Sequence, residues 1–180
     1  MKMKLILWFA LSIGFLALPS IGSAQEKESK MVQDGWAAFN KGDYKTALKL
    51  ARDAIRSEAP KKELRAEAYG LRGGVYWKEN APDRALKDFE AAIRLNPKRS
   101  YWHYAAGRVY YEKRKFEQAA ESFTATIERK PSHLVAYDFL VKTYIRMGKS
   151  DLANQVATIQ ENFIKKTSTP AAVAKAIRLQ

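Results

Sequence analysis

Residues 66–99 read AEAYGLRGGVYWKENAPDRALKDFEAAIRLNPKR, and residues 100–133 read SYWHYAAGRVYYEKRKFEQAAESFTATIERKPSH. Laid over one another, they align Gly73 with Gly107, Tyr76 with Tyr110, Ala85 with Ala119, Phe89 with Phe123 and Pro97 with Pro131, at a constant spacing in every pair. Ala153 continues the series one further period after Ala119, with Tyr137, Leu140, Tyr144 and Gly148 around it. Upstream, Gly35, Gly42, Tyr44 and Ala47 form a looser copy. The step from Ala47 to Ala85 is longer than the steps from Ala85 to Ala119 and from Ala119 to Ala153, so a short insertion separates the first two copies. A fixed period of this size marks a repeat architecture built from one supersecondary unit per copy.

The residue types explain the unit. Gly73, Gly107, Ala85 and Ala119 are small enough for two helices to approach closely, with Tyr76, Tyr110 and Tyr144 filling the space beside that contact. Phe89 and Phe123 are placed to pack against the next unit. Pro97 and Pro131 fall just past helix ends, where a missing N–H costs little. A single hairpin cannot bury both faces, so the units must stack.

These segments resemble the tetratricopeptide repeat, a 34-residue pair of antiparallel helices with Gly at position eight, Tyr at eleven, Ala at twenty, an aromatic at twenty-four, Ala at twenty-seven and Pro at thirty-two. Residues 66–99 match at Gly73, Tyr76, Ala85, Phe89, Ala92 and Pro97, and residues 100–133 at Gly107, Tyr110, Ala119, Phe123 and Pro131. Residues 28–61 keep Gly35, Ala47 and Ala54, and residues 134–166 keep Leu140, Tyr144 and Ala153, with Tyr137 at the aromatic position. The resemblance implies an all-α fold: an α-solenoid of about four helix hairpins. First helices are expected near 28–40, 61–79, 100–113 and 134–147, and second helices near 44–57, 83–95, 116–129 and 150–165. Asp43 and Ser150 are N-cap candidates. Thr169-Pro170 opens a further helical pattern, 170–179, expected to cap the open end of the stack.

Residues 1–24 read as a secretory signal. Lys2 and Lys4 precede an apolar run from Leu5 to Leu18, Pro19 ends it, and Gly22 and Ala24 suit cleavage before Gln25. The run is shorter than the ~20 residues that span a bilayer comfortably. Left uncleaved it would act as an anchor. Residues 25–180 then form one repeat domain, exported to the periplasm or secreted, with a bacterial envelope as the expected setting.

The chain has no cysteine, which removes disulfides, thiolate metal sites and cysteine nucleophiles. His103 and His133 sit in no metal-ligand pattern. His103 occupies a packing position, and His133 is expected to face solvent. No phosphate loop, nucleophile elbow or zinc-protease motif occurs. The expectation is a non-catalytic protein that needs no cofactor and no metal. The formal charge of +13 falls to +11 once Lys2 and Lys4 are removed, which favours acidic partners. Nucleic acid is set aside because of the export signal.

The family's concave groove is lined by first helices. Carried onto this chain, that implies a partner-binding surface of Trp36, Phe39, Trp77, Lys78, Tyr101, Tyr104, Arg108, Tyr111, Lys142 and Arg146, with Val32, Glu67, Glu112, Asp138 and Ile145 nearby. Trp, Tyr and Arg are the side chains that most often carry interface energy. Arg108, Lys142 and Arg146 are expected to attract anions. The Lys and Asn clamp that some family members close on acidic carboxy-termini is absent, because Val32, Trp36, Tyr101 and Ala105 stand there. Trp102 falls off the groove face and is expected to be structural. The expected partner is therefore a protein or peptide. The alternative is attachment to anionic lipid or an envelope polymer through Arg94, Lys98, Arg99, Arg129, Lys130, Lys165 and Lys166, which line up near second-helix ends. Charges there also offset helix dipoles.

Overall fold

A computed structural model describes residues 21–57 and 61–167, with side chains from residue 25 onward. The expected signal lies outside the described residues up to residue 20, and the expected final helix 170–179 lies outside them entirely. The described residues form eight helices: α1 Ile21–Asn40, α2 Tyr44–Arg56, α3 Lys62–Lys78, α4 Pro82–Leu95, α5 Ser100–Glu112, α6 Phe116–Arg129, α7 Leu134–Arg146 and α8 Ser150–Thr167. The chain is the all-α solenoid that its period implied. Two local expectations need correction. The first helix begins at Ile21 rather than near residue 28, and Ser150 is the first helical residue rather than the cap.

Consecutive helices pair as hairpins, and the turn inside each hairpin is the same device four times. The N–H of Asp43, Ala81, Lys115 and Lys149 each reaches the carbonyl five positions back, on Ala38, Tyr76, Tyr110 and Tyr144, at 2.8–2.9 Å. This closure needs one residue in the left-handed region. Gly42, Asn80, Arg114 and Gly148 supply it, with φ of 81°, 58°, 58° and 71°. Asp43 then starts α2 by accepting from the Thr46 N–H at 3.0 Å.

The buried clusters lie between hairpins more than within them. Ala85, Leu86, Phe89 and Ala92 of α4 pack with Trp102, Ala105, Ala106 and Val109 of α5. Ala47 and Ala51 of α2 meet Leu71 and Val75 of α3, and Ala119, Ala120 and Phe123 of α6 meet Leu140 of α7. The second helix of one unit is thus glued to the first helix of the next, which is why the units stack.

Glycines set how closely the helices approach. A Cβ at Gly73 would sit 2.9 Å from the Phe89 ring, and one at Gly107 would sit 2.8 Å from the Phe123 ring. At Gly70 it would overlap the ring of Trp102, which is fully buried. One charged pair is also sunk in the stack. Arg72 of α3 grips Asp88 of α4 through two bonds of 2.7 and 2.8 Å, and its guanidinium lies over the rings of Tyr69 and Tyr76.

Two substitutions test this packing by urea unfolding. Gly70→Ala forces the methyl into Trp102 and is expected to lower stability by about 1–3 kcal/mol. Arg114→Gly relieves a side chain held at positive φ, a strain of roughly 1–2 kcal/mol, less the greater backbone entropy that glycine loses. A small net gain in stability is expected.

Candidate binding groove

The first helices form one continuous row: α1 touches α3, α3 touches α5 and α5 touches α7. The second helices contact only their neighbours in sequence among the described residues. The tighter row lies on the inside of the curve. The inner surface therefore belongs to α1, α3, α5 and α7, the helices that carry all ten expected groove residues.

At the centre of this surface stands Arg108 of α5. Its guanidinium carbon lies 4.5 Å from the Phe139 ring centre, 5.0 Å from Trp77 and 6.0 Å from Tyr104. It also pairs with Glu112 at 3.7 Å, and the other oxygen of Glu112 accepts the Trp77 indole N–H at 2.7 Å. Helix spacing makes this possible, because residues 104, 108 and 112 are successive i,i+4 neighbours on one face. Of the expected anion-attracting trio, Arg108 is corrected, while Lys142 and Arg146 remain exposed cations. Arg108 directs its charge at three rings and a carboxylate, while Lys142 lies over the Phe139 ring at 5.3 Å. Arg146 is exposed and forms no ion pair among the described residues.

Toward the amino-terminal end, Trp36, Glu67, Arg99, Tyr101 and Trp102 line a cleft of about 260 Å³. Trp36 stacks on Trp102 with ring centres 6.2 Å apart, and Tyr101 meets both edge-on. Arg99 bridges to Glu67 at 3.3 Å, which moves it from the expected basic edge into the groove. Burial raises the Glu67 carboxyl above its ordinary range, and Arg99 partly opposes that. Burial likewise raises the Tyr101 hydroxyl.

The remaining rings are half-buried walls rather than free anchors. Phe39 packs on Trp36 and Tyr44, and Tyr111 packs on Phe116 and Phe139. Tyr104 meets Phe123, Phe139 and the ring of His133. His133 is therefore a packing residue, not the solvent-facing one expected. Lys78, Lys142 and Tyr101 are exposed on this row, together with Val135 and Ile145 at 48% and 58%. Phe139 was not among the expected residues. Its signal was present, because it precedes Lys142 by three positions and so shares its helix face. Among the described residues no three of His, Asp and Glu gather as a metal would require, and no helix is long and apolar enough to cross a membrane.

The family model described as "Tetratricopeptide repeat" matches residues 33–100 and 104–137. The chain is 30% identical over 98 residues to the Hsp70-Hsp90 organising protein of Plasmodium falciparum, covering 51% of this chain and 17% of that protein. It spans no more than 22% of the length of the first three curated relatives it matches. Among solved structures, MamA superposes with a TM-score of 0.70 at 21% identity, covering 78% of this chain and 80% of that one. The first TPR of Spaghetti (RPAP3), bound to the HSP90 peptide SRMEEVD, superposes with a TM-score of 0.64 at 18% identity, covering 69% and 98%. At these identities the two structures establish the fold.

Burial lowers the pKa of both His103 and His133, with the Pro97 carbonyl opposing it at His103. The unfolded chain therefore binds protons first as pH falls through about 6.5, and stability is lost from that point downward. Glu67, with its raised carboxyl, works in the opposite direction. The urea midpoint is expected to fall less between pH 7 and pH 5 in a His103→Gln, His133→Gln double variant than in the parent.

Proposed function

Because the chain belongs to the tetratricopeptide-repeat family, we propose that it is a non-catalytic scaffold whose inner helix row holds a segment of a partner protein. The observation that carries this reading is the exposure of Tyr101, Val135 and Ile145 on that row. Each is a large hydrophobic group left open to solvent, and Val135 and Ile145 share α7 with the exposed cations of Lys142 and Arg146. An extended peptide or a partner's amphipathic helix would bury these groups between aromatic walls that are already fixed. The RPAP3 domain, which shares this fold, is seen with a peptide bound. With no clamp for an acidic carboxy-terminus, the contact here is mainly apolar, and cations at the carboxy-terminal end of the groove orient the partner.

The setting we propose is the bacterial envelope, on the strength of the signal pattern in residues 1–24. The alternative drawn from charge, an edge of second-helix ends that meets anionic lipid or polymer, has less support. Two of its cations are occupied: Arg99 is paired with Glu67, and Arg129 donates to the Pro97 and Ala125 carbonyls.

Two experiments test these readings. Replacing Tyr101 and Ile145 by Ala is expected to abolish crosslinked recovery of a partner from the envelope fraction while leaving helical circular dichroism unchanged. Undiminished recovery would reject the groove. The exported form is expected to begin at Gln25 by amino-terminal sequencing, and a cytoplasmic full-length chain would reject the location.

A further inference from the structure

The outer helix row is electrically lopsided. Its first member, α2, carries Lys45, Lys49, Arg52 and Arg56 against the single acid Asp53, a net of +3. In α4, Arg84, Lys87 and Arg94 balance Asp83, Asp88 and Glu90. In α6, Glu117, Glu121 and Glu128 outweigh Arg129, a net of −2. Charge that served solubility alone would not need to collect at one end of the row.

The four cations of α2 also share one face. Spacings of four, three and four place them along a single stripe, with Ala47, Ala51 and Ala54 buried on the opposite side. All four are exposed. Lys49 reaches Asp53 at 2.8 Å, whereas Lys45, Arg52 and Arg56 form no ion pair among the described residues. Between them lies an open hollow of about 360 Å³ lined by Lys45, Leu48, Lys49, Arg52, Asp53 and Arg56. Three turns of helix set the outermost cations about 16 Å apart in a straight line.

The position of this stripe selects its partner. α1 and α2 form one hairpin, and Ser57, just past the end of α2, donates to Glu28 in the first half of α1. The Arg56 end of the stripe therefore lies beside the end of α1 at which export brings the chain to a membrane, whether the apolar run Leu5–Leu18 is then cut away or kept. A straight row of cations on a convex helix meets a plane along its whole length. The hollow's lining has Leu48 as its single apolar side chain, so contact would be electrostatic rather than inserted.

We infer that the outer face of α2 is a docking surface for an anionic lipid bilayer, bringing the amino-terminal hairpin against the membrane and leaving the groove on the inner row open to its partner. This surface is distinct from the groove and stands whether or not the groove reading holds.

The test is sedimentation of the full chain with vesicles of phosphatidylcholine alone and of phosphatidylcholine with about one third phosphatidylglycerol. The apolar run can enter either vesicle, so the quantity read is the anionic-over-neutral preference. The parent is expected to show a preference that collapses with added salt. Replacing Lys45, Lys49, Arg52 and Arg56 by Gln is expected to reduce it at least about tenfold, since each cation near an anionic surface contributes roughly fivefold. A control replacing Arg94, Lys98 and Lys130 by Gln is expected to keep it. An unchanged preference in the α2 variant, or an equal loss in the control, would overturn the inference. So would polyglutamate that binds the parent more tightly than the anionic vesicles and depends on the same four residues, because the surface would then serve an acidic polypeptide.

Discussion

Everything in this molecule depends on how closely the backbone of one helix approaches a ring on another. At Gly73 and Gly107 the ring belongs to the partner helix of the same hairpin, Phe89 or Phe123. At Gly70 it is Trp102 of the next unit. Hydrogen in place of a methyl is what lets these rings lie against a helix, and close packing then excludes every larger residue. The contact inside the hairpin recurs with the repeat at Gly73 and Gly107, while the units are joined to one another by Gly70 against Trp102 and by the buried clusters between second and first helices.

That row neutralises most of its charges locally. Arg108, the most central cation, is paired where it stands with Glu112 and covered by the rings of Trp77, Tyr104 and Phe139. Arg99 is matched by Glu67. A guanidinium placed like that of Arg108 rigidifies the walls of the groove, since it ties α3, α5 and α7 together through rings from all three. The surface left over is apolar in character, with cations confined to Lys78 and the exposed end of α7. The outer row shows the reverse arrangement at its first member, where three of the four cations on α2 form no ion pair among the described residues, so the two rows present different chemistry.

Much of this was legible in the residues alone. The constant period, the small residues facing the aromatics and the prolines past the helix ends set the number and order of the helices between residues 28 and 166. The ten groove residues all fall on first helices, as the pattern required. Harder to read were three side chains whose surroundings come from other units. Phe139 carried no mark in the repeat pattern, Arg99 looked like a helix-end cation, and His133 looked solvent-facing. Each is defined by a neighbour roughly one repeat away along the chain: Arg108 for Phe139, Glu67 for Arg99 and Tyr104 for His133.

The sequence by itself determined the repeat, because the small residues, rings and prolines of a unit lie within one short stretch of chain, and residues 66–99 and 100–133 restate them at constant spacing. Tertiary structure alone decided which of the groove's rings are walls and which are surface, and which cations keep their charge for a partner. Burial and ion pairing depend on the separation between one unit and the next. That separation is the sum of contacts made by side chains a full repeat apart, and no stretch of chain contains it.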